Sequence, residues 1–167
     1  DLYRVMNFGL KRIPGRLAVA TVAGNAIFAA VTGTSLASAA AFSRLAYPEM
    51  INAGYSRKYA LGSVAGSACL GMLIPPSVLL IIWGIVTEIS IGFLFLAGIL
   101  PGIVLALLMA FYSAGTAILK PEVAPNVDLS KEKLTAQEMI SGGGVIFLIF
   151  AVLGGICAGF ATPSEAA

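Results

Sequence analysis

The chain has 167 residues, of which 59% are hydrophobic and 11% are charged, and its mean hydropathy is +0.96. Soluble domains carry about 25% charged residues, so this excess of apolar side chains favours a lipid bilayer as the solvent. The net charge of +2 argues against a nucleic-acid partner, and the lack of histidine excludes Ser-His triads, Cys-His triads and His-bearing metal sites. Cys69 and Cys157 lie in separate apolar runs, which predicts neither a disulfide framework nor a zinc cluster.

Apolar stretches alternate with polar segments, and each of the last three is long enough to cross a hydrocarbon core, which needs about 20 residues. The sequence starts without Met and ends on a helix-opening pattern, so we expect a piece of a longer all-α, polytopic membrane protein. In chain order we predict a basic cytoplasmic segment (1–16), a re-entrant helical hairpin (14–48), a cytoplasmic link (49–58), a broken transmembrane helix (59–86), a transmembrane helix (91–119), a cytoplasmic loop with a short helix (120–140), a further transmembrane helix (142–161) and the start of a second repeat (162–167).

The distribution of basic residues predicts that the first stretch returns to the side from which it enters. If residues 14–48 crossed the membrane, the nine basic residues of the loops would be divided between both sides. If this stretch dips in and returns, all nine lie on one side, as the positive-inside rule requires. Pro48 and Glu49 then suit the first turn of a short helix at the cytoplasmic surface.

The predicted tip of this hairpin is polar and flexible. It carries Thr32, Gly33, Thr34 and Ser35, followed by Ser38. Gly33 suits an unusual turn, and the hydroxyl of Thr34 or Ser35 suits the cap of the returning arm. Non-helical backbone at membrane depth persists only where protein or a watery cavity covers it. The alternative is ordinary helix packing, because small residues also line membrane-helix interfaces.

A second break is predicted within residues 71–77 of the second stretch. A helix would bond the carbonyls of Gly71 and Met72 to residues Pro75 and Pro76, which have no N–H. Two free carbonyls beside the Ser77 hydroxyl would suit a small hard cation, and the following half-helix would favour an anion. The alternative is a tandem proline kink. A re-entrant hairpin together with a broken helix is the sequence signature of a secondary-transporter site.

The charged and aromatic residues within the apolar stretches give less information about function. Arg44 is expected to extend to the cytoplasmic interface rather than bind substrate, and Glu88 is expected to be solvated. Trp83 suits an interfacial anchor, and Pro101 suits a simple kink. Because the spans hold no pair of acids and the chain no histidine, we expect no acid–base chemistry and no enzyme.

Five segments carry motifs that occur together and in this order in one family: 32–40, 47–55, 71–77, 91–102 and 159–167. Along nearly its whole length the chain resembles that family, the large membrane subunit of tripartite ATP-independent periplasmic (TRAP) transporters. Thr32 and Thr34 stand where the family frequently has Ser, which keeps the hydroxyls, whereas Arg44 stands where a small or apolar residue is usual.

The resemblance implies an elevator fold of two inverted repeats in the prokaryotic inner membrane. It implies sodium-coupled import of organic acids, such as dicarboxylates or sialic acid, with a periplasmic solute-binding protein and a small membrane subunit as partners and no cofactor beyond sodium. By position, the sodium site falls on Thr32, Gly33, Thr34, Ser35, Gly71, Met72, Pro75 and Ser77. The edge of the substrate cavity falls on Thr34, Ser35, Ser38, Pro76 and Ser77. A sodium–carboxylate symporter without a binding protein and a non-transporting scaffold remain alternatives.

Overall fold

The computed structural model describes residues 15–125, which are helical with short connections. The predicted segments before residue 15 and after residue 125, with Cys157, lie outside the described residues. The five α-helices are α1 (Arg16–Thr32), α2 (Ser35–Asn52), α3 (Arg57–Ala68), α4 (Val78–Thr87) and α5 (Ile91–Leu119), and a 3-10 turn (Cys69–Met72) follows α3.

Helices α1 and α2 form an antiparallel hairpin around a two-residue turn. Gly33 ends α1 in the left-handed conformation, with a φ of 63°, and its N–H donates to the Ala29 carbonyl at 2.8 Å. Glycine is the residue that adopts this conformation without a steric cost. The Phe28 and Phe42 rings meet edge to face, with centroids 6.0 Å apart, so the two arms pack side by side. Whether this hairpin is re-entrant in a membrane stays a prediction.

Helix α2 is longer than the sequence predicts. It continues through Pro48 and ends at Asn52, so no separate surface helix begins at Pro48. A proline inside a helix removes one backbone hydrogen bond. Burial offsets that loss here, because Ala46 and Met50 are fully buried on either side of Pro48, in one apolar cluster with Leu17.

Helix α1 is the central element of the described fold. Eleven of its 17 residues are buried, and α2, α3 and α5 pack around it. A larger apolar cluster lies near its start and includes Leu17, Phe42 and Ala60, whereas a smaller cluster around Val22, Ala29 and Leu70 lies nearer its end. The central helix therefore holds the hairpin turn at a fixed position relative to the segment that follows α3.

The interrupted segment between α3 and α4 packs closely against α5. A Cβ atom added to Gly98 would lie 2.9 Å from the Leu73 carbonyl oxygen, and one added to Gly102 would lie 3.0 Å from a side-chain carbon of Ile74. Real Cβ atoms rarely approach so closely, so glycine at these two positions permits the contact. Pro101 lies within α5, between these glycines.

Within the described residues, α5 is the one helix that is long and apolar enough to cross a membrane. Its 29 residues extend about 43 Å at 1.5 Å per residue, more than a core of about 30 Å requires. Large apolar side chains on α4 and α5 are exposed, among them Trp83, Phe93 and Phe111. Helices α1 and α4 are apolar but shorter.

Candidate functional site

The hairpin turn and the interrupted helix lie in direct contact. The N–H of Val78, the first residue of α4, donates to the Gly33 carbonyl at 3.1 Å. A Cβ atom on Gly33 would lie 2.6 Å from the Pro76 carbonyl oxygen. One on Gly71 would lie 2.8 Å from the carbonyl oxygen of Thr34. The structure thus brings together the two backbone breaks that the sequence suggested separately, and glycines on both sides permit their close approach.

The hydroxyl of Ser77 has a partner inside the break. Ser77 is fully buried, and its hydroxyl donates to the Met72 carbonyl at 2.8 Å. The sequence-based expectation that the Met72 carbonyl is free is therefore wrong. The serine bridges the gap that the two prolines leave in the helical ladder. A hydroxyl that donates its hydrogen in this way still offers lone pairs on its other side.

The turn shows a second departure from the sequence-based expectations. Thr34 stands at the N-cap position of α2, but its side chain makes no capping hydrogen bond. The Thr32 hydroxyl instead donates to the Phe28 carbonyl, four residues earlier, at 3.0 Å. The Thr32 oxygen, like that of Ser77, therefore keeps lone pairs for another partner.

The remaining predicted site residues have mixed environments. Ser35 begins α2 beside Gly71, with a Cβ on Gly71 only 2.9 Å from the Ser35 nitrogen. Ser38 is fully buried, and its hydroxyl has no hydrogen-bond partner in the structure. The Met72 side chain is 48% exposed, and Pro75 is fully buried and joined to Pro76 by a cis peptide bond. The structure therefore brings Gly33, Thr34, Ser35, Gly71 and residues 76–78 into contact, whereas the Met72 side chain points outward.

A buried polar pair near the break was missed by the sequence analysis. The Asn25 amide nitrogen donates to the Ser67 hydroxyl at 2.6 Å, and both residues are buried. The amide oxygen of Asn25 has no partner. A lone Asn within an apolar stretch was the available signal, because such side chains often hydrogen-bond across membrane helices. The pair joins α1 to the last turn of α3, just before the break.

The charged residues do not enter this site. Arg44 and Glu88 are exposed, and Glu88 adopts a φ of 56° where it ends α4. Among residues 15–125, no group of three or more Cys, Asp or Glu side chains could hold a metal ion. A cation bound at the break would therefore depend on hydroxyl and carbonyl oxygens, which are the ligands of hard cations.

Two interrupted apolar segments, in contact through glycine, define a class of protein. Irregular backbone of this kind, within helices as apolar as these, is typical of the discontinuous helices of membrane transporters. Comparison with known families agrees with this class. Residues 1–167 match the family described as "Tripartite ATP-independent periplasmic transporter, DctM component", and the chain belongs to that family. The resemblance seen in the sequence is thereby confirmed.

Individual relatives carry related names. The chain is 37% identical to a C4-dicarboxylate TRAP transporter large permease protein of Pseudomonas aeruginosa, over 93% of this chain and 36% of the relative. It is 34% identical to the protein of the same name from Vibrio cholerae, over 98% of this chain and 36% of the relative. It is 36% identical to an ectoine TRAP transporter large permease protein of Halomonas elongata, over 98% of this chain and 38% of the relative.

These comparisons determine the family and leave the cargo open. The chain spans little more than a third of the length of these relatives, and their names specify different transported compounds. All three are named as transporter permeases, which supports the expectation that the chain is not an enzyme and is part of a membrane protein.

Proposed function

We propose that this chain forms one half of the ion and substrate site of a TRAP transporter large permease, which imports organic acids with sodium. The observation that carries the proposal is the contact between the hairpin turn and the interrupted helix, made through Gly33 and Val78. Family membership supports the transport class. The use of sodium, the organic acid and the binding-protein partner rest on the resemblance alone.

The chemistry of the break suits a small cation. The Ser77 and Thr32 hydroxyls both donate to backbone carbonyls, so each oxygen keeps lone pairs for a cation. The backbone carbonyl of Thr34 lies beside Gly71, within the same contact. Neutral oxygens without a carboxylate bind a monovalent cation without holding it too tightly to release.

The same region suits the carboxylate of a substrate. Helix α4 begins at Val78, and the N-terminus of a helix carries a partial positive charge that favours anions. A cation bound at the break would add its own charge, so each ligand would favour binding of the other. This mutual effect would couple the sodium gradient to uptake. The proposal includes an elevator motion, in which the block containing the site slides across the membrane, and this part rests on the resemblance.

Thermal unfolding of the complete membrane subunit in detergent tests the cation site. NaCl is titrated against KCl at constant ionic strength. A ligand at 100 times its dissociation constant stabilises the folded state by about 2.7 kcal/mol. We expect stabilisation specific to sodium, which Ser77→Ala reduces. Thr87→Ala is the matched control, because the Thr87 hydroxyl also donates to a backbone carbonyl, that of Trp83, but at the other end of α4.

Identical curves in both salts would contradict the sodium site and favour the scaffold alternative. Loss of the sodium effect in both variants would show that Ser77 acts only through stability. Uptake of labelled dicarboxylate into proteoliposomes, with and without the periplasmic binding protein, then separates the TRAP mechanism from a symporter that works alone.

A further inference from the structure

A groove between α3 and α5 has no part in the proposed ion site. Its volume is about 290 Å³. Lys58 and Tyr59 line one end, Gly62 and Gly66 line it along α3, and Met109 and Tyr112 contribute from α5. Its lining residues on α3 fall within 58–67, a segment about 14 Å long at 1.5 Å per residue.

Glycine keeps this groove open. A Cβ atom on Gly62 would meet no atom within 4 Å, and one on Gly66 would meet only the terminal carbon of Met109, at 3.7 Å. Helix packing therefore does not require glycine at either position. The Tyr59 hydroxyl donates to the Ser113 carbonyl at 2.7 Å, which holds the two helices together beside the open space.

The groove is basic at one end and mainly apolar along its length. Lys58 and its neighbour Arg57 are exposed at the start of α3, and no carboxylate lines the groove. Lys120 follows the end of α5, and α5 reaches the groove with its C-terminal half. The distribution of basic residues predicts that this end faces the cytoplasm, where anionic lipids attract lysine and arginine.

We propose that the α3–α5 groove binds an anionic phospholipid of the cytoplasmic leaflet. Its phosphate would lie beside Lys58, and one acyl chain would follow Gly62 and Gly66 towards Met109. A positive charge at one end and a mainly apolar lining along the rest together match this amphipathic ligand. Tyr112 is 74% exposed, and its hydroxyl would lie at the level of the headgroup.

Native mass spectrometry of the complete subunit tests the proposal, with phosphatidylglycerol and phosphatidylcholine of identical acyl chains as the probes. We expect phosphatidylglycerol to bind more tightly. Lys58→Gln should weaken its binding about fivefold, as expected for one basic residue near an anionic headgroup. Gly62→Leu, which fills the channel, should weaken binding of both lipids by at least as much.

Two variants provide matched controls. Lys120→Gln removes a basic residue at the same end of the molecule but outside the groove, and Gly115→Leu fills open space on α5 that is not part of it. Both should bind lipid as the wild type does. Equal weakening in the controls, or unchanged binding in both groove variants, would overturn the proposal.

Free glycerol phosphate, added as a competitor, distinguishes a phosphate site from a lipid site. We expect no displacement even when glycerol phosphate is in large excess over phosphatidylglycerol, because the apolar lining contributes most of the affinity. Full displacement by the free phosphate would overturn the assignment to a lipid. Because the groove shares no residue with the break, the sodium titration above remains a separate test.

Discussion

The buried Asn25–Ser67 pair is a hydrogen bond between two single residues that joins α1 to α3 close to the candidate site. Asn25 donates to the Ser67 hydroxyl, which itself donates back to the backbone of α3. The unpartnered amide oxygen of Asn25 makes this an expensive arrangement in an apolar environment. The cost is understandable if the bond fixes the position of α1 along α3, and hence the place where the turn meets the break.

A double-mutant cycle over Asn25→Ala and Ser67→Ala tests this bond. Interhelical hydrogen bonds in membrane proteins are worth about 0.6 kcal/mol on average and about 1.7 kcal/mol at most. We expect a coupling free energy of unfolding in this range, measured by chemical denaturation in detergent micelles. Additive effects of the two changes would show that the bond contributes nothing and would leave the position of the turn to apolar packing.

Ser77 and Ser38 illustrate two opposite outcomes for buried hydroxyls. Ser77 replaces part of a hydrogen-bond ladder that the prolines interrupt, whereas the Ser38 hydroxyl has no partner. Ser77→Ala should therefore destabilise the subunit even without sodium, by about 1 kcal/mol, the usual worth of one hydrogen bond. Thermal unfolding in potassium salt measures this baseline. An unchanged midpoint would mean that the Met72 carbonyl finds another donor.

At the scale of the elements, the contact between the turn and the break depends on glycine. Gly71→Ala should lower the free energy of unfolding by about 1–3 kcal/mol, the usual cost of overpacking, because the new methyl group meets the Thr34 backbone at 2.8 Å. Gly62→Ala, in the middle of α3 with open space around it, should raise stability by up to about 1 kcal/mol.

Thermal unfolding of both variants, followed by the sodium titration, provides the measurement. The two changes add the same methyl group, so Gly62→Ala controls for the presence of an added methyl group away from the contact. A stable Gly71→Ala variant that still responds to sodium would show that the turn and the break do not have to touch. The proposed site would then lose its main support.

The sequence predicts those features that depend on neighbouring residues. Helix α5 occupies the predicted apolar stretch because its residues are uninterrupted and hydrophobic, and α1 ends at Gly33 because that glycine adopts a left-handed conformation. The sequence does not predict that α2 continues past Pro48, because the burial of Met50 that offsets the lost hydrogen bond depends on residues far along the chain.

The candidate site shows the same division. Gly33, Gly71 and the two prolines identify both breaks locally. Their contact is a long-range property, and the hydrogen bond between Val78 and Gly33 joins residues 45 positions apart. The partner of Ser77 was also missed, because the expected free carbonyl was derived from an ideal helix, whereas the chain forms a 3-10 turn before the prolines.

At the scale of the whole molecule, the orientation of the hairpin determines the mechanism. If α1 and α2 enter and leave on one side, the turn ends inside the membrane and can hold an ion between two aqueous faces. If they cross fully, the turn lies at a surface and the contact with the break cannot be central. The exposed apolar side chains of α4 and α5 are compatible with burial in lipid or against other protein.

Single-cysteine labelling of the complete subunit tests whether both ends of the hairpin lie on the cytoplasmic side. In a background with Cys69→Ser and Cys157→Ser, we introduce Lys11→Cys before α1, Asn52→Cys at the end of α2 and Ser90→Cys between α4 and α5. A membrane-impermeant maleimide is applied to intact cells and to inverted vesicles. Asn52 and Ser90 are exposed, so a reagent that reaches their side of the membrane reaches these positions.

We expect Lys11→Cys and Asn52→Cys to react only in inverted vesicles and Ser90→Cys only in intact cells. This pattern follows if the hairpin returns to the cytoplasmic side and the interrupted helix crosses once, because all nine basic loop residues then lie on that side. Reaction of Lys11→Cys and Asn52→Cys on opposite sides would contradict a re-entrant hairpin.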